Sequence, residues 1–159
     1  MFKVGDMAVY PAQGVGKIEA IEERDLAGEH HKFYVLRLID GDMTIMIPVN
    51  NADGVGLRTL IDPQRIPELM HALEDRQELS ALASWSRRQR EYNDKLKTGC
   101  LFEVVEVLRE LYTIRENKDL SYGEKKVLEL AQKLLVTEIS LVEGARADEI
   151  FERLEKALS

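Results

Sequence analysis

Two hydrophobic periodicities divide the chain. From residue 1 to about residue 60, short apolar runs alternate with glycine-rich turn signals, a pattern typical of a small antiparallel sheet. From about residue 63 onward, apolar residues recur every three or four positions, which is the spacing of amphipathic helices. The pattern predicts an α+β chain with a β module over residues 1–60 and a compact all-α domain over residues 61–159.

Four or five short strands are predicted in the first part, with runs over residues 8–10, 15–21, 33–39 and 43–49. The sequence Asp40-Gly41-Asp42 predicts a hairpin between the last two, because Asp-Gly favours a tight turn. Alternation divides the last strand into two faces, Thr44, Met46 and Pro48 against Met43, Ile45 and Ile47. Such a small, strongly curved sheet resembles SH3-like and Tudor-like barrels, which are usually binding modules.

About five helices are predicted in the second part. The first begins at Pro63, and the polar residues 74–84 are expected to contain a turn. A basic helix follows from Trp85 to about residue 98, and a third has an apolar stripe over residues 101–112. Ser121 with Glu124 forms a capping box that opens the longest helix. Gly144 ends that helix, and a short last helix covers residues 147–158.

Charge is distributed unevenly. The whole chain has a net charge of −7, yet residues 84–97, the basic segment, sum to +3 and the remainder to −10. The segment contains the only tryptophan, Trp85. Cations can hold phosphates while an adjacent aromatic ring stacks on a base or enters an opened base step. The alternative is a core tryptophan followed by a solvated basic helix face, and the charge pattern alone leaves both open.

Other chemistry finds little support in the sequence. The single cysteine, Cys100, excludes an intrachain disulfide and is expected to be buried or half-buried near a helix start. His30 and His31 would point to opposite faces of a strand, so no metal site is predicted. No phosphate loop or paired acid–base constellation is evident, and no enzyme activity or cofactor is predicted. Neither a signal peptide nor a membrane span is recognisable, so a cytoplasmic location is expected. The sequence does not decide the oligomeric state, and a monomer is the default expectation.

Several blocks in order along nearly the whole chain resemble one family. They include Phe2-Lys3-Val4-Gly5-Asp6, Gly14-Val15-Gly16, Met46-Ile47-Pro48, Trp85-Ser86-Arg87-Arg88 and Leu120-Ser121-Tyr122-Gly123-Glu124-Lys125-Lys126. The blocks resemble the CarD and CdnL family of bacterial RNA-polymerase-binding transcription regulators, and the Trp-Ser-Arg-Arg block is the most diagnostic.

For the first part of the chain, the resemblance implies a Tudor-like module that binds the β subunit of RNA polymerase by strand pairing. The contact would involve Arg24, Met46 and Pro48. Some relatives have arginine where this chain has Met46. The polymerase contact here is therefore expected to depend more on strand pairing and apolar contact than on charge.

For the helical domain, the resemblance implies weak, nonspecific contact with promoter DNA. Trp85 would enter the minor groove at the upstream edge of the melted bubble and slow its collapse. Arg87, Arg88 and Arg90 would contact phosphates, and Lys95 and Lys97 complete the set of DNA-binding residues. The alternative is a protein–protein adaptor in which Trp85 is a buried anchor.

Overall fold

A computed structural model of the chain describes residues 1–75 and 84–159. Their contacts divide into two compact units, Met1–Leu60 and Ile61–Ser159. Most of the turn expected within residues 74–84 lies outside the described residues.

The first unit is a four-stranded antiparallel sheet curled into a half-barrel, as predicted. Its strands follow chain order: β1 (Met7–Tyr10), β2 (Gly14–Leu26), β3 (Glu29–Leu38) and β4 (Thr44–Pro48). Strands β1 and β4 are the two edges, and β1 gains one bridge from Val9 to Arg58.

Strands β2 and β3 are longer than predicted, because they continue into a polar hairpin. Leu26 pairs with Glu29 across a two-residue turn, Ala27-Gly28, in which both residues have positive φ, 51° and 81°. That geometry matches the right-handed twist of the strands it joins. Hydrophobic alternation could not reveal the extension, since residues 22–26 and 29–32 are almost all polar.

One face of the sheet forms the hydrophobic core of this unit. Strand β3 directs Tyr34, Leu36 and Leu38 into the core, where they join Ile18 and Ile47. A shift of register between Ile18 and Ala20 forms a bulge in β2, which adds to the curvature of the sheet. Close packing also requires Gly16, because a Cβ atom there would lie 2.8 Å from the carbonyl oxygen of Arg37.

The second unit contains five helices, in agreement with the periodicity. They are α1 (Ile66–Glu74), α2 (Trp85–Lys97), α3 (Leu101–Asn117), α4 (Tyr122–Glu143) and α5 (Ala147–Leu158), and a 3-10 turn, Pro63–Arg65, precedes α1. The capping box that opens α4 is present in both directions, with Ser121 Oγ accepting from Glu124 N and Glu124 Oε1 accepting from Ser121 N. Gly144 ends α4 in the left-handed conformation that favours glycine.

Helix α3 lies at the centre of this unit and buries residues around most of its circumference, which include Val104, Leu108 and Leu111. Two buried polar side chains bond to backbone groups. Arg109 Nη1 donates to the carbonyl of Leu73 at 2.6 Å, and Glu138 Oε2 accepts from the backbone N of Ile61 at 2.8 Å. They hold the last turn of α1 and the start of the unit in place.

One local expectation is wrong. Cys100 is exposed rather than buried or half-buried. It is the N-cap residue of α3, where the chain is still extended, and the helix directs Leu101 rather than Cys100 into the core.

Candidate functional site

Helix α2, which contains the basic segment, has two chemically distinct faces. Arg88, Tyr92 and Leu96 are buried at successive four-residue intervals. On the opposite side, spacings of three and four residues align four exposed charged residues. They are Arg87, Arg90, Asp94 and Lys97, and the exposed Glu91 flanks them, so three cations and two anions point to solvent.

Arg88 does not lie on the exposed face, so the sequence-based phosphate role does not fit its position. Its side chain is 7% exposed, and Nη1 donates to Glu124 Oε2 at 3.1 Å. Burial lowers the pKa of the Arg88 guanidinium, but contacts with Tyr92 and Glu124 outweigh burial and raise the pKa above its usual value. Burial likewise raises the pKa of the Glu124 carboxyl, but hydrogen bonds from Ser121 and Arg88 outweigh it and lower that pKa.

Trp85 is half-buried at the first position of α2. The guanidinium of Arg88 lies 5.3 Å from the indole ring, and the Tyr92 ring centroid is 6.1 Å away at an interplanar angle of 53°. The indole also packs against the backbone of Gly123 in α4. The side chain is therefore neither a fully buried core residue nor a free one: part is held by the helical core, and part faces solvent.

Lys95 and Lys97 differ in their surroundings. Lys97 is exposed on the charged face of α2. Lys95 lies on the flank of the helix, where its Nζ is 3.0 Å from Glu106 Oε2 on α3. Of the six residues predicted to bind DNA, Arg87, Arg90 and Lys97 thus share an exposed face, whereas Arg88 supports Trp85 from the interior and Lys95 pairs with α3.

Residues Arg24, Met46 and Pro48, which the resemblance assigns to polymerase, lie on one face of the sheet. Their partners across the ladder are His31, Val35 and Phe33, respectively, which alternate along β3 and therefore point to the same side. Met46 is 38% exposed and Pro48 is exposed, whereas Arg24 pairs with Glu22 at 3.1 Å. Strand β4 is an edge, so its outer side is unpaired within the described residues.

Sequence-based reasoning missed three residues that border these surfaces, of which Val35 is buried. Phe33 and Val35 connect Arg24 to Met46 and Pro48, and the alternation of β3 could have identified them. Tyr122, 75% exposed with Lys126 Nζ 5.2 Å from its ring, directly precedes Gly123. No local signal could have identified its neighbourhood, because α2 and α4 are distant in sequence.

Two further classes of site find no support in residues 1–75 and 84–159. Within these ranges no group of three or more His, Cys, Asp or Glu side chains could hold a metal ion. No helix there is long and apolar enough to cross a membrane.

Known protein families match the two parts of the chain separately. The family model for the CarD-like/TRCF RID domain matches residues 2–61, and that for the CarD C-terminal domain matches residues 68–155. YdeB of Bacillus subtilis (strain 168) is named as a transcription factor. It is 35% identical to this chain over 150 residues, which cover 94% of this chain and 97% of YdeB.

Two solved structures from Myxococcus xanthus align with part of the chain. CdnLNt is 52% identical to this chain, with a TM-score of 0.34, and the alignment covers 39% of this chain and 87% of CdnLNt. The 72-residue N-terminal domain of CarD is 32% identical to this chain, with a TM-score of 0.33, and the alignment covers 37% of this chain and 79% of that domain. Both halves of the chain match family models, and YdeB is similar over almost its whole length, so this chain belongs to the CarD/CdnL family of bacterial RNA-polymerase-interacting transcription regulators.

Proposed function

We propose that this protein binds the β subunit of RNA polymerase through its half-barrel and stabilises the promoter open complex through the helical unit. The half-barrel brings the protein to the promoter, and the helical unit contacts DNA at the upstream edge of the bubble. Trp85 acts as a wedge in the opened step, and Arg87, Arg90 and Lys97 contact phosphates. Arg88 is assigned a supporting role instead, because its guanidinium is buried against Glu124.

One observation is central to this proposal: the half-exposed indole lies at the start of a helix whose outer face has three exposed cations. A flat apolar surface beside cations suits DNA, because the ring can replace lost base stacking while cations hold the adjacent phosphates. Three cations provide weak, salt-sensitive affinity and no sequence preference. The helical unit alone is therefore expected to bind DNA weakly.

Polymerase binding is proposed to compensate for this weakness. An edge strand can pair with a strand of a partner through main-chain hydrogen bonds, while side chains on one face provide the specificity. Strand β4 has such an edge, and Met46, Pro48, Phe33 and Arg24 share the adjoining face. Once the half-barrel is bound, the helical unit is held near the promoter at a high effective concentration.

The decisive experiment is the lifetime of open complexes on a promoter, measured after addition of a competitor with and without the protein. We expect a longer lifetime in its presence, because the wedge opposes re-annealing of the upstream edge. An unchanged lifetime despite demonstrated polymerase binding would contradict the proposal. An isolated helical unit that captures a protein but binds no DNA at low salt would favour the adaptor instead.

A further inference from the structure

The seat of the Trp85 indole is formed by an absent side chain. A Cβ atom at position 123 would lie 2.9 Å from Cζ2 of Trp85, 3.2 Å from Nε1 and 3.3 Å from Cε2. The first distance is shorter than a carbon–carbon contact tolerates, since optimal separations are about 3.5–4.0 Å. The edge of the indole that contains these atoms therefore lies directly on the backbone of Gly123.

Backbone conformation does not explain this glycine. Gly123 is in the first turn of α4 and is not among the glycines with positive φ. Any residue could adopt its conformation, and alanine would favour the helix more than glycine does. Contact with Trp85 is the feature of this position that a side chain would disturb.

Among the described residues, two buried side chains and the start of α4 border the ring. Arg88 lies 5.3 Å from the ring and is held by the buried carboxylate of Glu124. Tyr92, also buried, borders the indole at 6.1 Å. The first turn of α4 is fixed by its capping box, in which Glu124 also takes part. An added methyl group at position 123 would consequently displace the indole toward solvent.

We propose that Gly123 is a positioning residue for Trp85: it provides the seat that sets how far the indole projects from the helical unit, and Glu124 holds the Arg88 guanidinium beside the ring. The link from this seat to open-complex lifetime rests on the proposed function. A wedge is effective only when its ring is held in the orientation that the opened step requires, because a loosely held group loses most of its contribution.

The sole tryptophan of the chain makes the seat directly measurable. In the free full-length protein, we expect Gly123→Ala to increase acrylamide quenching of tryptophan fluorescence and to shift its emission to longer wavelength. The melting temperature should change little, because the gain in helix propensity opposes the loss of indole packing. Ser140→Ala, a small change in the same helix far from Trp85, is the matched control and should change none of these values. Unchanged quenching in Gly123→Ala would overturn the proposal.

Open-complex lifetime tests the functional consequence. A displaced ring keeps part of its base contact, so Gly123→Ala should shorten the lifetime about two- to tenfold, less than complete loss of stacking would. Phenylalanine has a single ring and lacks the part of the indole that contains Cζ2. In a Trp85→Phe background, adding Gly123→Ala should therefore have little further effect on the lifetime. Equal effects of Gly123→Ala in both backgrounds would overturn the proposed positioning role.

The two proposals fail separately. If Trp85→Ala leaves the lifetime unchanged, the wedge function is wrong, and the seat is then judged by quenching alone. If Trp85→Ala shortens the lifetime while Gly123→Ala alters only quenching, the seat does not set the activity of the wedge and the inference is overturned.

Discussion

Arg87 and Arg88 are neighbours in the basic segment, but they lie on different sides of α2. Arg87 faces solvent with Arg90 and Lys97, whereas Arg88 is buried against Glu124. Helical geometry rotates successive residues by about 100°, which places Arg87 in solvent and Arg88 in the interior. Their substitutions should consequently fail in different ways.

Replacing Arg87 and Arg90 together with alanine should weaken DNA binding similarly for all sequences. The slope of log affinity against log salt should decrease by about two, because each arginine is expected to neutralise one phosphate. Binding to duplex DNA over a salt series, with melting curves to confirm folding, measures this. Arg146→Ala with Arg153→Ala removes the same charge from exposed residues at α5 and is the control. If both double variants behave alike, the outer face of α2 has no special role.

Removing the Arg88 side chain should instead destabilise the helical unit. Loss of one partner of a buried ion pair costs about 3–5 kcal/mol, because the remaining charge is left uncompensated. This is why Arg88 is excluded from the pair of substitutions above.

Trp85→Ala should affect both stability and open-complex lifetime. Because the indole is half-buried, we expect a loss of about 1–2 kcal/mol, below the 3–5 kcal/mol typical of large buried aromatic residues. Removing the stacking of the indole on one base, worth about 1–3 kcal/mol, should shorten the lifetime about five- to a hundredfold. Thermal melting and open-complex decay measure the two effects. A loss of stability typical of a core residue, with an unchanged lifetime, would favour a buried anchor.

At the scale of elements, β4 combines an open edge with a partly apolar outer face, and α4 begins at a cap that also holds α2. In each element one residue both stabilises the fold and contributes to a proposed functional surface. Met46 pairs with Val35 within the sheet while its side chain remains partly exposed. Glu124 accepts from Ser121 within α4 and from Arg88 in α2.

Met46→Glu should weaken binding to the polymerase β subunit without unfolding the half-barrel, since a charged group on this face must be desolvated when the partner covers it. A pull-down or titration with the β subunit tests this, and circular dichroism checks the fold. The matched control is Met43→Glu, because Met43 is 54% exposed and precedes β4. Normal binding by Met46→Glu would remove this face from the proposed interface.

Glu124 should make the stability of the helical unit depend on pH. Its folded-state pKa is lowered, so its contribution is present above the unfolded pKa of about 4.3 and is lost as the pH falls through the folded value. The difference in melting temperature between wild type and Glu124→Gln should therefore be largest near pH 6–7 and shrink below about pH 4. A difference that stays constant down to pH 3 would contradict the ionised Glu124–Arg88 pair.

For the whole molecule, the division into two units matters more than the net charge of −7. Each unit has a hydrophobic core of its own, around Tyr34 and Leu36 in one and around Leu108 and Leu135 in the other. An acidic chain with few exposed cations on α2 should not coat free DNA, because nonspecific affinity depends on the number of phosphate contacts. Activity should accordingly require both units in one chain.

Separating the units should abolish the effect on the open complex without unfolding either one. We expect fragments 1–60 and 61–159, mixed in equal amounts, to leave open-complex lifetime unchanged at concentrations where the intact protein prolongs it. Cutting the chain removes the effective concentration that polymerase binding provides, which is about millimolar for short connections. Melting curves of each fragment are the control, and a fully active mixture would contradict the tethering mechanism.

The sequence by itself determined the features that depend on near neighbours. Alternation and helical spacing predicted four or five strands and about five helices, and Ser121 with Glu124 predicted the start of α4. These signals are local because strand faces repeat every two residues, helix faces every 3.6, and a cap acts within one turn. The same local signals did not predict the polar hairpin of β2 and β3, because its strands bury no regular apolar face.

Only the tertiary structure decided which basic residues face solvent and what supports Trp85. Arg88 is buried against Glu124, a partner that is 36 residues away in the chain. The indole packs on Gly123 of the same distant helix. Charge composition treats every arginine of the basic segment alike, whereas packing selects one for the interior and leaves others outside. That selection depends on which helices meet in space, and no local pattern in the chain encodes it.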